Sequence, residues 1–132
     1  MTVTHWERRA HLITLGLLGA VPVATGILGI AKGPEGAPGG GATTASVDSE
    51  YRFVNTFWLA GGIGLLWSLG APQDRQPVTR VVLATAGLGG GPRLLSWSKT
   101  GRRHPVFVGA LGLELVGVPV VLAWHRRVFP SR

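Results

Sequence analysis

At 132 residues the chain has room for one domain, and without cysteine it offers no disulfide framework, thiolate metal site or cysteine nucleophile. Charged residues make up 14% of it, against about 25% in soluble domains. The formal charge of +7 sits in clusters between apolar runs, at Arg8 and Arg9, Arg75 and Arg80, Lys99 with Arg102 and Arg103, and Arg126, Arg127 and Arg132, a distribution that fits membrane flanks and argues against a nucleic-acid partner.

Four apolar stretches, roughly 11–31, 53–70, 78–98 and 105–124, are expected to be membrane-spanning helices. The first follows Glu7-Arg8-Arg9 and superficially resembles a secretory signal, twin arginines included. At about 20 residues it is longer than a usual signal core, and three more spans follow, so it reads as a retained helix. Pro22 within it predicts a kink. Residues 32–47, KGPEGAPGGGATTASV, have no hydrophobic period and read as a long, poorly ordered loop.

The second span opens after Asp48-Ser49-Glu50-Tyr51-Arg52-Phe53, with Asp48 or Ser49 expected as its N-cap. The polar stretch 71–77 is a short turn, which makes spans two and three antiparallel neighbours. In the third span, Gly87, Gly89, Gly90, Gly91 and Pro92 predict a bend or local unwinding just before Arg93. A basic turn over 98–104 leads to Pro105, which suits the first turn of span four. The architecture expected is an all-α, integral-membrane four-helix bundle, one domain over residues 1–132. Small residues in every span allow its helices to approach closely.

An even number of spans puts both termini on one side. Seven Lys and Arg residues on that side (Arg8, Arg9, Arg75, Arg80, Arg126, Arg127, Arg132) against five opposite (Lys32, Arg52, Lys99, Arg102, Arg103) favour cytoplasmic termini in a multi-pass cell-membrane protein. Trp6, Trp58, Trp67, Trp97 and Trp124 read as aromatic-belt residues and His104 as a headgroup-level residue.

Two ionisable residues, Arg93 and Glu114, lie inside spans. A charge at the bilayer centre costs about 2.5–3.5 kcal/mol on insertion scales, so such residues usually face the bundle interior and pair. From the outer ends of spans three and four, helical rise places Arg93 about 7 Å deep and Glu114 about 13 Å deep. The offset of about 6 Å is within reach of an extended arginine. Span two begins on the same side, so Asp48, Glu50, Tyr51 and Arg52 are expected at the mouth above the pair. The four histidines all lie near segment ends and no metal-ligand spacing occurs, so neither a metal nor a cofactor is expected.

With those residues in view, the chain resembles a family of small bacterial membrane proteins known only as a domain of unknown function, numbered 4345. The resemblance rests on D-S-E-Y-R-F at 48–53, W-L-x-G-G-x-G-L-L-W at 58–67, G-G-P-R-L-L-S at 90–96, and H-P-V-F-V-x-x-L-x-L-E-L-x-x-x-P-V-x-x-x-W at 104–124. It spans about residues 48–125 and implies a four-helix membrane bundle. It also implies that Glu50, Arg52, Arg93, Ser96 and Glu114 belong to a shared pattern. Pro92 departs from the pattern, in which a small or apolar residue is expected before the arginine.

The function expected is binding of a lipophilic small molecule from the membrane in an intramembrane polar pocket. In its enzymatic form this is acid–base chemistry by a cyclase, isomerase or epoxide-opening enzyme. Glu114 would then donate or take a proton, Arg93 would orient it or hold an anion, and Asp48, Glu50, Tyr51, Arg52 and Ser96 would contact substrate. One alternative is a non-catalytic structural or accessory subunit in which Arg93–Glu114 only fixes helix register. A second is a small exporter built on one membrane carboxylate, which suits Glu114 but not its neutralisation by Arg93.

Overall fold

The computed structural model describes residues 2–131, so Arg132, counted in the charge comparison, lies outside it. Among the described residues there are helices and connecting turns and no strand. They form four helical rods. The first is α1 (His5–Lys32) and the second α2 (Ala45–Ser68); the third is α3 (Gln76–Leu88) followed by α4 (Gly90–Thr100). The fourth joins α5 (Pro105–Gly112), a π-helical turn (Leu113–Gly117) and α6 (Val118–Val128). Among the described residues two helices are long and apolar enough to cross a membrane, His5–Lys32 and Pro105–Val128, with mean hydropathies of 2.0 and 2.2 over their most apolar windows.

Local chemistry sets the boundaries, and corrects two expectations. The N-cap of α2 is Thr44, whose side chain accepts from the Val47 N–H, and not Asp48 or Ser49. Asp48 is committed elsewhere, to Arg52 one turn later. The segment read as a loop from 32 to 47 is partly ordered: it holds a 3₁₀ turn at Pro34–Gly36, and α2 already begins at Ala45. The interruption in the third rod falls at Gly89, and α4 starts immediately with Pro92 as its third residue. Position 92 is among the first four of the helix, whose N–H groups would have no partner within it, so a residue that lacks an N–H costs little there.

The π turn was not anticipated. Pro119 follows Glu114 by five residues and has no N–H to give to Leu115. The preceding residue Val118 donates to the Leu113 carbonyl, five residues back. One residue is thereby inserted into the helical turn that carries Glu114.

The α1 face formed by Gly19, Pro22, Gly26 and Gly29 is buried, and it lies directly on α2. A methyl group at Gly62 would come within 2.8 Å of the Gly19 carbonyl and 2.9 Å of the Val23 nitrogen. These glycines are therefore what lets the two backbones touch. At the end that carries both chain termini all four rods close around Leu15, Leu65, Leu83, Val118 and Val121. A Glu7–Arg127 ion pair of 3.1 Å joins the start of α1 to the end of α6. At the other end α4 packs against α5 but has no substantial packing against α1 or α2, so the bundle splays open.

Candidate functional site

The splay leaves a cavity of about 660 Å³ between α1, α2, α3, α4 and the fourth rod. That volume is in the range of small-molecule sites, roughly 300–1,000 Å³. Its walls are Leu18, Pro22, Phe57, Trp58, Leu65 and Leu83 with other apolar residues, and the only charged side chains among them are Arg93 and Glu114. Val54, Phe57, Val81 and Leu113 line the cavity yet stay 47–65% exposed. Its open side therefore faces outward between helices, and is itself apolar.

Glycine and the π turn bring the charged pair together. Gly90 at the start of α4 is buried, and a Cβ there would come within 2.5 Å of the Leu115 side chain and 3.5 Å of the Glu114 Cβ. Without a side chain at 90 the third rod can lie on the π turn, which sets Arg93 against Glu114. Arg93 Nε donates to both carboxylate oxygens, at 2.9 Å to Oε1 and 2.8 Å to Oε2. Glu114 is 7% exposed. The Arg93 guanidinium carbon also lies 5.5 Å from the Phe107 ring centroid, a favourable cation–π position. The pairing inferred from helical rise is thus present, and it reaches the cavity wall.

The other residues expected around this pair lie elsewhere. Arg52 Nε donates to Asp48 Oδ2 at 2.8 Å and Nη2 to Oδ1 at 3.1 Å, while Nη1 reaches the Ile30 and Ala31 carbonyls at the end of α1. This is a clamp on a helix C-terminus, where a cation satisfies orphan carbonyls. The hydrogen bond from Arg52 holds the Asp48 carboxyl below the usual carboxylate range, and Asp48 in turn holds the Arg52 guanidinium above its ordinary value. Glu50 is exposed and Tyr51 half-buried, its carbonyl accepting from the Asn55 side chain at 2.8 Å. Ser96 is half-buried and takes a hydrogen bond from Arg103. None of Asp48, Glu50, Tyr51, Arg52 and Ser96 lines the cavity.

Sequence reasoning missed two features. Trp58, read as a belt residue, is part of the cavity wall, and its indole N–H donates to Thr25 Oγ1 at 2.8 Å across α1 and α2. The second is a buried histidine pair at the terminal end: His11 Nε2 and His125 Nδ1 are 3.0 Å apart, and both residues are 0% exposed. Trp124 and Phe129 enclose it. No group of three or more His, Asp or Glu able to hold a metal occurs among the described residues.

Compared with known protein families, the chain matches the model described as "Domain of unknown function (DUF4345)" over residues 10–125. It belongs to the DUF4345 family. The match takes in most of α1 as well as the motifs from Asp48 onward, so the DUF4345 region reaches into all four rods and contains both members of the Arg93–Glu114 pair. Neither a curated protein nor a solved structure matches the chain.

Proposed function

We propose that this DUF4345 protein is an integral membrane protein that takes a lipophilic small molecule from the bilayer into the cavity and holds its polar end at Arg93 and Glu114. One observation carries the reading: an apolar cavity of about 660 Å³ whose only charged lining residues are in contact with each other. An ion pair that served packing alone would need no cavity beside it. Membrane integration is supported by the surface. Large hydrophobic side chains such as Leu17, Ile27, Phe53, Phe57, Ile63, Leu88, Leu95 and Val116 are 52–76% exposed, and patches of that extent are rare on soluble monomers.

In this reading all four rods span the bilayer with both chain ends in the cytoplasm. In its enzymatic form Glu114, the sole carboxylate of the cavity, exchanges a proton with the bound molecule, and Arg93 holds the oxygen on which negative charge develops.

A variant that fills the cavity while leaving the pair intact tests the reading. A Cβ at Gly61, a lining residue, meets nothing nearer than Val82 Cγ1 at 4.0 Å. Gly61→Trp therefore has space to grow into the cavity. Wild-type protein taken gently from its membrane should carry a small molecule in near-stoichiometric amount by native mass spectrometry, and Gly61→Trp should lose it. Equal occupancy in the two proteins, or an empty wild type, would refute the proposal.

A further inference from the structure

We infer that the molecule held in the cavity is an uncharged lipid with an oxygen at one end, of the alcohol, carbonyl or epoxide class, and not a fatty-acid anion or a cationic amphiphile. The inference rests on the reading of the cavity as a ligand site and adds the chemistry of its occupant.

Charge at the site excludes an ion. Arg93 and Glu114 neutralise each other, and every other lining side chain is uncharged. A carboxylate entering beside this pair would leave two anions sharing one guanidinium, and an ammonium would leave two cations sharing one carboxylate. Either way one net charge is buried without a partner, a state that costs far more than burial of a neutral polar group.

Unspent hydrogen-bonding capacity selects an oxygen. Arg93 spends only Nε on Glu114, and neither Nη makes a hydrogen bond among the described residues. Each Glu114 oxygen accepts only the one N–H from Arg93 Nε among those residues and can accept another. The pair thus presents unspent donors and unspent acceptor capacity side by side. An ether, carbonyl or epoxide oxygen answers the Nη donors, and a hydroxyl does so while donating to Glu114. Of the other polar side chains in the wall, Trp58 has its indole N–H engaged by Thr25, which leaves Thr85.

Access to the cavity also favours a neutral solute. The open side is bordered by Val54, Phe57, Val81 and Leu113, so a ligand arrives through an apolar phase. Neutral solutes cross such a border without shedding the hydration of an ion.

The experiment compares three probes of the same chain length, hexadecanol, hexadecanoate and hexadecylamine, titrated into the detergent-solubilised full chain and read by native mass spectrometry. Binding to Gly61→Trp is subtracted, which removes surface attachment to a basic protein. Hexadecanol should bind at least about tenfold more tightly than either ion, a difference of about 1.4 kcal/mol. Glu114→Gln should shift the preference to hexadecanoate, and Arg93→Gln should shift it to hexadecylamine. Wild-type binding of hexadecanoate or hexadecylamine as tight as that of hexadecanol would overturn the neutral-lipid inference and leave the cavity reading standing. If none of the three shows binding that Gly61→Trp abolishes, the cavity reading falls and this inference with it.

Discussion

Arg93 and Glu114 are joined through a single nitrogen: Nε donates to both carboxylate oxygens, and the two Nη groups make no hydrogen bond among the described residues. A pair built only to lock helices would be expected to use the planar fork of arginine fully, as Arg52 does when it spends Nε, Nη1 and Nη2 on Asp48 and two carbonyls. The two arginines thus divide the roles that sequence reasoning had pooled at one mouth. Arg52 ties α2 to the end of α1, and Arg93 keeps donors unspent at a cavity wall.

The contact of α1 with α2 is set by backbone proximity. Gly62→Ala should destabilise the protein by about 1–3 kcal/mol, because its Cβ meets a carbonyl oxygen and a backbone nitrogen that cannot move aside. Gly112→Ala, where a Cβ meets nothing within 4 Å, should be neutral or stabilising by up to about 1 kcal/mol through helix propensity. Thermal melting of the two variants in one detergent measures both, and similar melting temperatures would show that the α1–α2 contact is looser than described.

The histidine pair should behave as a mutual hydrogen bond in an apolar setting. His125→Leu leaves His11 buried with no partner at Nε2 and should cost about 1–3 kcal/mol. The double change His11→Phe with His125→Leu should recover most of that loss, since both polar groups go together. A double variant as unstable as the sum of the single ones would mean that the pair is not what holds this end.

Acid should weaken the Asp48–Arg52 clamp. The Asp48 carboxyl titrates below its ordinary 3.8 because Arg52 donates to the charged form. A depressed folded-state value gives stability that is fully present above the unfolded value and is lost as pH falls through the folded one. The gap in melting temperature between wild type and Asp48→Asn should therefore be constant at neutral pH and close below about pH 4. A gap that persists unchanged into stronger acid would show that the carboxylate charge is not what the clamp uses.

Some of this was legible in the sequence and some was not, for physical reasons. The helical rods show in hydropathy, and the Arg93–Glu114 contact shows because a short turn between antiparallel helices converts residue counts into depth. The N-cap at Thr44 was missed because Asp48 is an equally good capping residue whose side chain is taken by Arg52. The π turn follows from Pro119 lacking a donor, and a lone proline inside a span does not say which turn before it will absorb the lost hydrogen bond. The His11–His125 contact joins residues 114 apart, and no local pattern announces it. The cavity comes from packing that does not form, between α4 or α5 and the α1–α2 pair, and composition carries no mark of that.

Topology can be read with single cysteines in this cysteine-free chain. Asp74 is exposed in the turn between α2 and α3, and Gly41 has open space around a Cβ in the loop before α2. With cytoplasmic ends, a membrane-impermeant thiol reagent added to intact cells should label Gly41→Cys and not Asp74→Cys. Labelling of Asp74→Cys alone would invert the orientation.

Whether Arg93 and Glu114 hold a ligand is read from the occupancy of the apolar double variant Arg93→Met with Glu114→Leu. Glu114→Gln alone leaves a part-buried guanidinium without its charged partner and should cost about 1–3 kcal/mol, which the double change should largely restore, since buried ion pairs are often replaceable by packed apolar groups. Native mass spectrometry of the double variant should then show a folded protein stripped of the molecule that the wild type carries. A stable double variant holding that molecule at wild-type occupancy would show that the pair does not hold the ligand and would leave Arg93–Glu114 as a bridge between helices.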